Sequence, residues 1–457
     1  MTFLVECTYV FDHPKDNSGI QRVVRNIVLS LGNVRKGAVG SIPVVLKRSR
    51  VYKVLRLKPT NADIFLGRLL HKLLRIKHRY WSLQLRGQEL WLFSISTLLR
   101  SIFDAVVAFF GFFIDLPVRG LSYLCHIREE SYRIVEYKIN PGDVLILLDS
   151  SWHSDLFEQV EELKRRGVII VSVIYDLIPL THPHFCDEGL VTAFINWFAW
   201  VTKIADGFIA ISKAIRDEVK VNVERSIQTQ GPVPKWYDYF YLGSDLDLSE
   251  KCRLGRPRTK SPFEEGVPVY LMVSTIEPRK NHAYLLDAFD LLWEFGIRIN
   301  LLLIGKIGWK CQELMKRIID HPEYNQRLYF LNRATDTELE YCYSNSRCVL
   351  LSSFVEGFGL PLVEAMQRGI PVMASDIPVF HEVGGDYVAY FDLSEPRSLA
   401  NLVLQFEKSG QFPASQQITN WSWLTWQDSA QQFLDKIAEH VANHRGHERE
   451  AQIFQAP

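Results

Sequence analysis

Short apolar runs alternate with amphipathic stretches along most of the chain. In the first half the runs "FLVECTYVF", "DVLILLDSSW", "VIIVSVIYDLIPL" and "ADGFIAIS" are separated by segments such as "SDLFEQVEELKRRG", which has the spacing of a helix. After Gly19, the residues Ile20, Val23, Val24 and Ile27 share one helix face, and Arg22 and Arg25 lie on another. The second half opens at "VYLMVSTIEPRKNHAYLLDAF" and repeats the alternation through "INLLLIGKIG", "LYFLNRAT" and "RCVLLSSF". Strands that alternate with helices predict a parallel sheet, so the fold class is α/β with two doubly wound, Rossmann-like domains. The stretch from Gln228 to Pro268 is rich in Gly, Pro and charge and separates the halves. The expected division is an N-terminal domain over 1–245, a linker over 246–266 and a C-terminal domain over 267–420. In 421–457 a Trp-rich turn leads into an amphipathic helix, "WQDSAQQFLDKIAEHV". A cleft between two such domains is a common place for a ligand.

An insertion at about residues 45–135 interrupts this pattern. From Lys47 to Arg79 there are eleven Lys/Arg and one acid, Asp63, which leaves 41 basic and 51 acidic residues elsewhere. The segment from Leu90 to Val118 then turns largely apolar, but Arg100 and Asp104 cut it into two charge-free runs of ten residues. A spanning helix needs about 20 apolar residues, and each central charge costs about 2.5–3.5 kcal/mol. A membrane span is therefore not expected. Two readings stay open: helices lying on an anionic membrane surface, or helices packed within the domain or against a partner.

At 457 residues the chain is long for one domain, and its 47% hydrophobic content supplies sizeable cores. The formal net charge of zero gives no global field for nucleic acid, which is not an expected partner. The seven cysteines are scattered, with no CxxC pair and no Cys/His metal spacing, as suits reduced thiols in a cytoplasmic protein. "MTFLVECTYVF" lacks a basic n-region and a cleavage site and reads as a first strand.

Candidate chemistry concentrates in the second half. "SSFVEGFGLPLVEAMQRGIPVMAS", Ser352 to Ser375, reads as strand, glycine turn, helix and strand, with Pro361 in the first helical turn and Gly369 closing it. Glu356 sits in the turn and Glu364 about one turn into the helix. A helix N-terminus there offers free N–H groups to phosphate or a sugar hydroxyl. Taken singly, the two acids read equally well as a loop acid and an exposed helix acid. About 75 residues earlier, "STIEPRKNH" leaves Arg279 and Lys280 at the carboxyl edge of the sheet, where adjacent cations can neutralise a diphosphate.

With "STIEPRKNH", the E-x7-E of "FVEGFGLPLVEAM", and "GIPVMASDIPVFHEV", the chain resembles the family-4 glycosyltransferases, the retaining, nucleotide-sugar-dependent class of GT-B fold. "NSGIQRVVRN", "YDLIPLTHP" and "LGSDL" are similar to its N-terminal loops, and the resemblance covers nearly the whole chain outside 45–135. The resemblance implies that Arg279 and Lys280 bind the donor diphosphate and stabilise the leaving group. It implies that Glu356 lies near the transferred sugar and Glu364 on the nucleotide ribose. It further implies that backbone amides of Phe358, Gly359 and Leu360 hold phosphate or sugar hydroxyls, and that Gly19 lets the N-terminal loop approach the diphosphate. Thr275 stands where many members carry arginine, which leaves more of the phosphate to Arg279, and Tyr175 precedes Asp176 where some carry histidine. The last helix is expected to cross back to the N-terminal domain.

The implied donor is a nucleotide sugar, GDP-mannose ahead of UDP-sugars. The implied acceptor is a lipid-linked or growing surface polysaccharide such as lipopolysaccharide O-antigen. No cofactor and no metal are expected, because fixed cations can meet the departing charge. The one DxD, Asp245–Asp247, lies at the linker edge and reads as structural. A dinucleotide GxGxxG and a P-loop GxxxxGK[ST] are both missing from the sequence. The alternative is a GT-B scaffold without catalysis in a polysaccharide assembly complex, which retention of Arg279, Lys280, Glu356 and Glu364 together disfavours.

Overall fold

The computed structural model describes residues 1–14, 16, 18–32, 40–47, 49–58, 65–66, 68–79, 109, 111–125, 128, 133–153, 156–227, 235–244, 262–263 and 266–454, without the side chains of 420 and 444–454. Asp245 and Asp247, most of the expected linker (246–261, 264 and 265) and residues 80–108 of the apolar insertion lie outside the described residues. The chain forms two compact units, one of Met1–Val5, Asn17–Ser41 and Asn140–Pro457, the other of Glu6–Asp16 and Ile42–Ile139.

The first unit is built on two sheets. One contains β1 (Thr2–Glu6), β2 (Val144–Leu147), β3 (Ile169–Ile174), β4 (Gly207–Ala210) and β5 (Trp236–Tyr239), paired in that order and mutually parallel. The other contains β6 (Val269–Val273), β7 (Asn300–Ile304), β8 (Leu328–Leu331), β9 (Cys348–Leu351), β10 (Val372–Ser375) and β11 (Ala389–Phe391). Its spatial order is β8-β7-β6-β9-β10-β11, parallel throughout. Covered on both faces, these strands carry near-continuous apolar runs instead of alternation: every residue of "NLLLI", "CVLL" and "VMAS" is buried. Helices His282–Glu294 and Pro396–Ser409 pack on this sheet through Leu285, Phe289, Leu292, Leu399 and Val403.

The strand order matters for function. It reverses direction between β6 and β9, which pair through Tyr270↔Cys348 and Leu271↔Val349. In open α/β sheets the loops leaving two such strands diverge and leave a crevice at their carboxyl ends. "STIEPRKNH" follows β6 and "SSFVEGFG" follows β9, so the two sequence motifs flank that crevice.

The helix Trp426–Phe454 lies against β5 and the helix Gly19–Ser30. Ala430, Phe433, Leu434, Ile437 and Val441 form its buried stripe. Phe433 meets Phe240 at 4.7 Å between centroids, His440 stacks on Trp236 at 4.5 Å, and Lys436 and His440 both reach the Asp238 carboxylate, at 2.8 and 3.0 Å.

The second unit pairs strands Gly40–Lys47, Arg50–Val54 and Ile134–Glu136 antiparallel. Helical residues 68–79 and 111–125 are tied by Lys77 and Asp115 at 2.8 Å. Phe109, Phe112, Phe113 and Leu116 are more than half exposed. Among the described residues no helix is long and apolar enough to cross a membrane.

Two runs read as strands throughout end early, for one local reason. In "FLVECTYVF" the strand stops at Glu6 and Thr8–Asp12 turns helical; the Glu6 carboxylate accepts the Thr8 N–H at 2.6 Å. In "VIIVSVIYDLIPL" the strand stops at Ile174, the Asp176 carboxylate accepts the Ile178 N–H at 3.1 Å, and Ile178–Thr181 form a helical turn. An acidic side chain that takes an N–H two residues on competes with the ladder.

Candidate active site

The loop from β6 contains a single 3₁₀ turn, Pro278–Lys280, where proline's fixed φ and missing N–H cost nothing. Asn281 then takes a left-handed conformation, φ 54°, before the next helix begins. The turn directs its two cations at the loop from β9. Arg279 Nη1 donates to Glu356 Oε2 at 2.8 Å, Lys280 Nζ pairs with Glu356 Oε1, and Ser353 Oγ donates to the same oxygen at 2.6 Å. Arg279 Nε also meets Glu277 Oε1 at 2.6 Å. Backbone contacts lock the loops together: Phe354 N–H donates to Arg279 O at 2.9 Å, and Ser352 Oγ to Lys280 O at 2.8 Å.

The electrostatics follow from burial. Burial by itself pushes the Glu356 carboxyl up, but Lys280 and Arg279 outweigh it and hold Glu356 at about 2. Burial also raises Asp176 and Glu277, against the pull of Arg279, and lowers Lys280, with Arg279 adding to that effect. For Arg279 burial works against the charge, yet Glu356, Glu277 and Asp176 prevail and raise it. Two cations and three carboxyls thus share one largely buried site.

Asp176 is carried by the first sheet, and Gly357 explains how the loops come so close. A Cβ on Gly357 would stand 2.1 Å from the carbonyl oxygen of Tyr175, so only glycine fits. Ser212 Oγ donates to Gly357 O at 2.9 Å, and Tyr175 Oη is held on Leu148 O at 2.7 Å.

Glu364 belongs to a second set of contacts. It is 6% exposed, not the exposed helix acid that its sequence position allows. Arg22 Nη2 pairs with its Oε1, and Tyr343 Oη donates to its Oε2 at 3.0 Å. The Arg22 guanidinium is raised, first by the Glu364 charge, against the cost of burial.

The remaining sequence candidates divide by how they face this site. Gly359, φ 92°, caps the helix Leu360–Gln367 with no side-chain hydrogen bond, Pro361 lies in its first turn, and the Leu362 N–H donates to Gly359 O at 2.9 Å, which leaves the N–H groups of Gly359 and Leu360 without a helical partner. The Phe358 side chain is buried beside Tyr241 and Trp423, leaving its backbone as the part able to meet a ligand. Thr275 is exposed at the end of β6. Gly19 opens the helix Gly19–Ser30, and nothing lies within 4 Å of a Cβ placed there. Asp176, Glu277, Arg22 and Tyr343 join the site without having been assigned to it from sequence. Glu277, Asp176 and Arg22 stood inside quoted motifs, whereas no sequence signal marked Tyr343.

Comparison with known proteins places this fold. The crystal structure of Anabaena HepE in complex with UDP and glucose superposes with a TM-score of 0.51 at 15% identity, covering 97% of this chain and 100% of that one. The fold is GT-B. Residues 256–421 match the family model "Glycosyl transferases group 1", and every site candidate except Gly19 falls within them or in contact with them. The Escherichia coli serotype-specific mannosyltransferase WbdA is 34% identical over 301 residues, 65% of this chain and 37% of that protein. The E. coli O-antigen chain mannosyltransferase B is 35% identical over 136 residues, 30% of this chain and 35% of that protein. The match thus spans little more than a third of either relative. Over these segments the chain is homologous to O-antigen mannosyltransferases.

Proposed function

We propose that the protein transfers a hexose, mannose first, from a nucleotide sugar to a lipid-linked or growing surface polysaccharide with retention of configuration and without a metal. The observation that carries this reading is the Arg279–Lys280–Glu356 cluster at the crevice between β6 and β9. The diphosphate enters as a rival anion for the two cations. Asp176 and Glu277, already raised by burial, are the carboxyls that lose charge most easily in response. Ribose hydroxyls go to Glu364, the phosphates also meet the N–H groups of Phe358, Gly359 and Leu360, and Gly19 and Thr275 border the phosphate path. The bond from the anomeric carbon to the phosphate oxygen breaks as the acceptor oxygen attacks from the same face, and the acceptor proton passes to the departing phosphate. Glu356 sets a negative charge beside the positive charge that builds on the sugar ring.

Thermal melts against GDP, UDP and dTDP test the donor class. A nucleotide at a hundredfold excess over its Kd adds about 2.7 kcal/mol, so GDP is expected to raise the Tm most, and Glu364→Gln to diminish that rise. No rise with any nucleotide removes the enzyme reading and leaves the scaffold one. The proposed location is the cytoplasmic face of a membrane, bound peripherally. The basic stretch from Lys47 to Arg79 and the exposed Phe109, Phe112, Phe113 and Leu116 support it. Binding to anionic liposomes at low salt, lost at about 1 M salt where screening acts within about 3 Å, is the expected result; no binding at low salt sinks the proposal.

A further inference from the structure

Three segments that the proposed donor chemistry does not use converge beside it. They are His182–Phe185, which follows β3 and its helical turn, Trp309 and Lys310, which follow β7, and Phe354, in the loop that carries Glu356. The rings of Phe185 and Phe354 lie 5.4 Å apart and within 16° of parallel, and His182 extends the row at 6.1 Å and 12° from Phe185. The row is fixed from behind. Trp309 Nε1 donates to Phe185 O at 2.7 Å, Lys310 Nζ to His184 O at 3.3 Å, and the Phe354 N–H to Arg279 O at 2.9 Å. Phe354 is nevertheless 43% exposed. A large ring held this firmly, open to solvent two residues from a buried carboxylate, is a preorganised apolar surface at the edge of a polar site.

We propose that Phe354, backed by Phe185, is the platform on which one hexopyranose ring of the acceptor glycan stacks. This rests on the glycosyltransferase reading above. A pyranose presents hydroxyls around its rim and an apolar face of axial C–H groups, and an aromatic ring takes that face while leaving the hydroxyls free to react. The donor is committed to other residues: its phosphates to Arg279 and Lys280, its ribose to Glu364. The aromatic row instead joins the Glu356 loop to residues 182–185, which the first sheet carries. A ring resting there brings an acceptor hydroxyl to the transferred sugar without competing for the cations.

The test is direct binding of an α-linked mannotriose to the full chain in the presence of GDP, read by saturation-transfer NMR and titration. Wild type is expected to bind, Phe354→Ala to bind about tenfold or more weakly, the size expected for losing an apolar ring contact, and Phe354→Trp to bind as wild type does. The GDP-induced rise in Tm is expected to stay the same in all three. Phe354→Ala binding the trisaccharide as wild type does overturns the platform. So does a loss of GDP response in step with the sugar, or a wild type that binds neither mannotriose nor the corresponding glucose and galactose trisaccharides. Wild type that gains no stability from any nucleotide fails at the parent reading instead, so the two failures are distinguishable.

Discussion

Lys280→Ala is expected to lower kcat by about 10²–10³ while the donor KM moves little, the size seen when one preorganised charge-stabilising donor is removed. The charge that Lys280 meets grows as the diphosphate departs, so the loss falls on the transition state and not on the bound ground state. Arg279→Ala should behave alike, with a larger rise in KM, because Arg279 also braces Glu277 and Glu356. The pH profile supplies a second readout. Lys280 is a principal cause of the low Glu356 value of about 2. Without it that value rises, and the acid limb of the activity profile moves to higher pH. Steady-state kinetics with the donor varied decides. Near-normal kcat in Lys280→Ala, with activity abolished in Glu364→Gln, would overturn these roles and move the chemistry to Glu364.

Gly357→Val is expected to abolish activity and lower the Tm. Its Cβ would stand 2.1 Å from Tyr175 O, and the obstacle is backbone that no rotamer change relieves. The loop must retreat from Tyr175, which breaks the Ser212 hydrogen bond to Gly357 O and carries Glu356 away from Asp176. Overpacking of this kind costs about 1–3 kcal/mol, but positioning errors of about 1 Å cost about a hundredfold in rate, so activity should fall further than stability. Calorimetry and kcat measured together check this; a variant with wild-type Tm and turnover shows that the two loops do not need their close approach.

Much of this was legible along the chain because its cause is local. Parallel strands buried on both faces must be apolar runs, and "NLLLI" and "CVLL" are such runs. Pro361 opens a helix and Gly369 follows its end for reasons of their own φ angles, and the helix Leu360–Gln367 carries Pro361 in its first turn and stops before Gly369. The cation turn and Glu356 could be picked out because each follows a strand of the same sheet. Illegible were the partnerships between distant residues. Arg22 and Glu364 are 342 positions apart, and each looks solvent-facing on its own helix. Their pairing comes from how the helices Gly19–Ser30 and Leu360–Gln367 meet, which no residue pattern in either helix encodes. Phe354 was hidden for the opposite reason: inside an apolar run it reads as core, yet it stands outward.

The C-terminal helix sets a condition on synthesis. Asp238 in β5 waits for Lys436, 198 residues later in the chain, before it gains its cationic partner, and Phe240 waits equally long for Phe433. At about 5–20 residues per second on the ribosome, that is roughly 10–40 s during which β5 and the helix Gly19–Ser30 lack the C-terminal helix that packs on them. The first sheet therefore leaves the ribosome with its strands made and its lid unmade. Chaperone dependence should accordingly arise in the emerging first half of the nascent chain, before the second sheet and its closing helix exist.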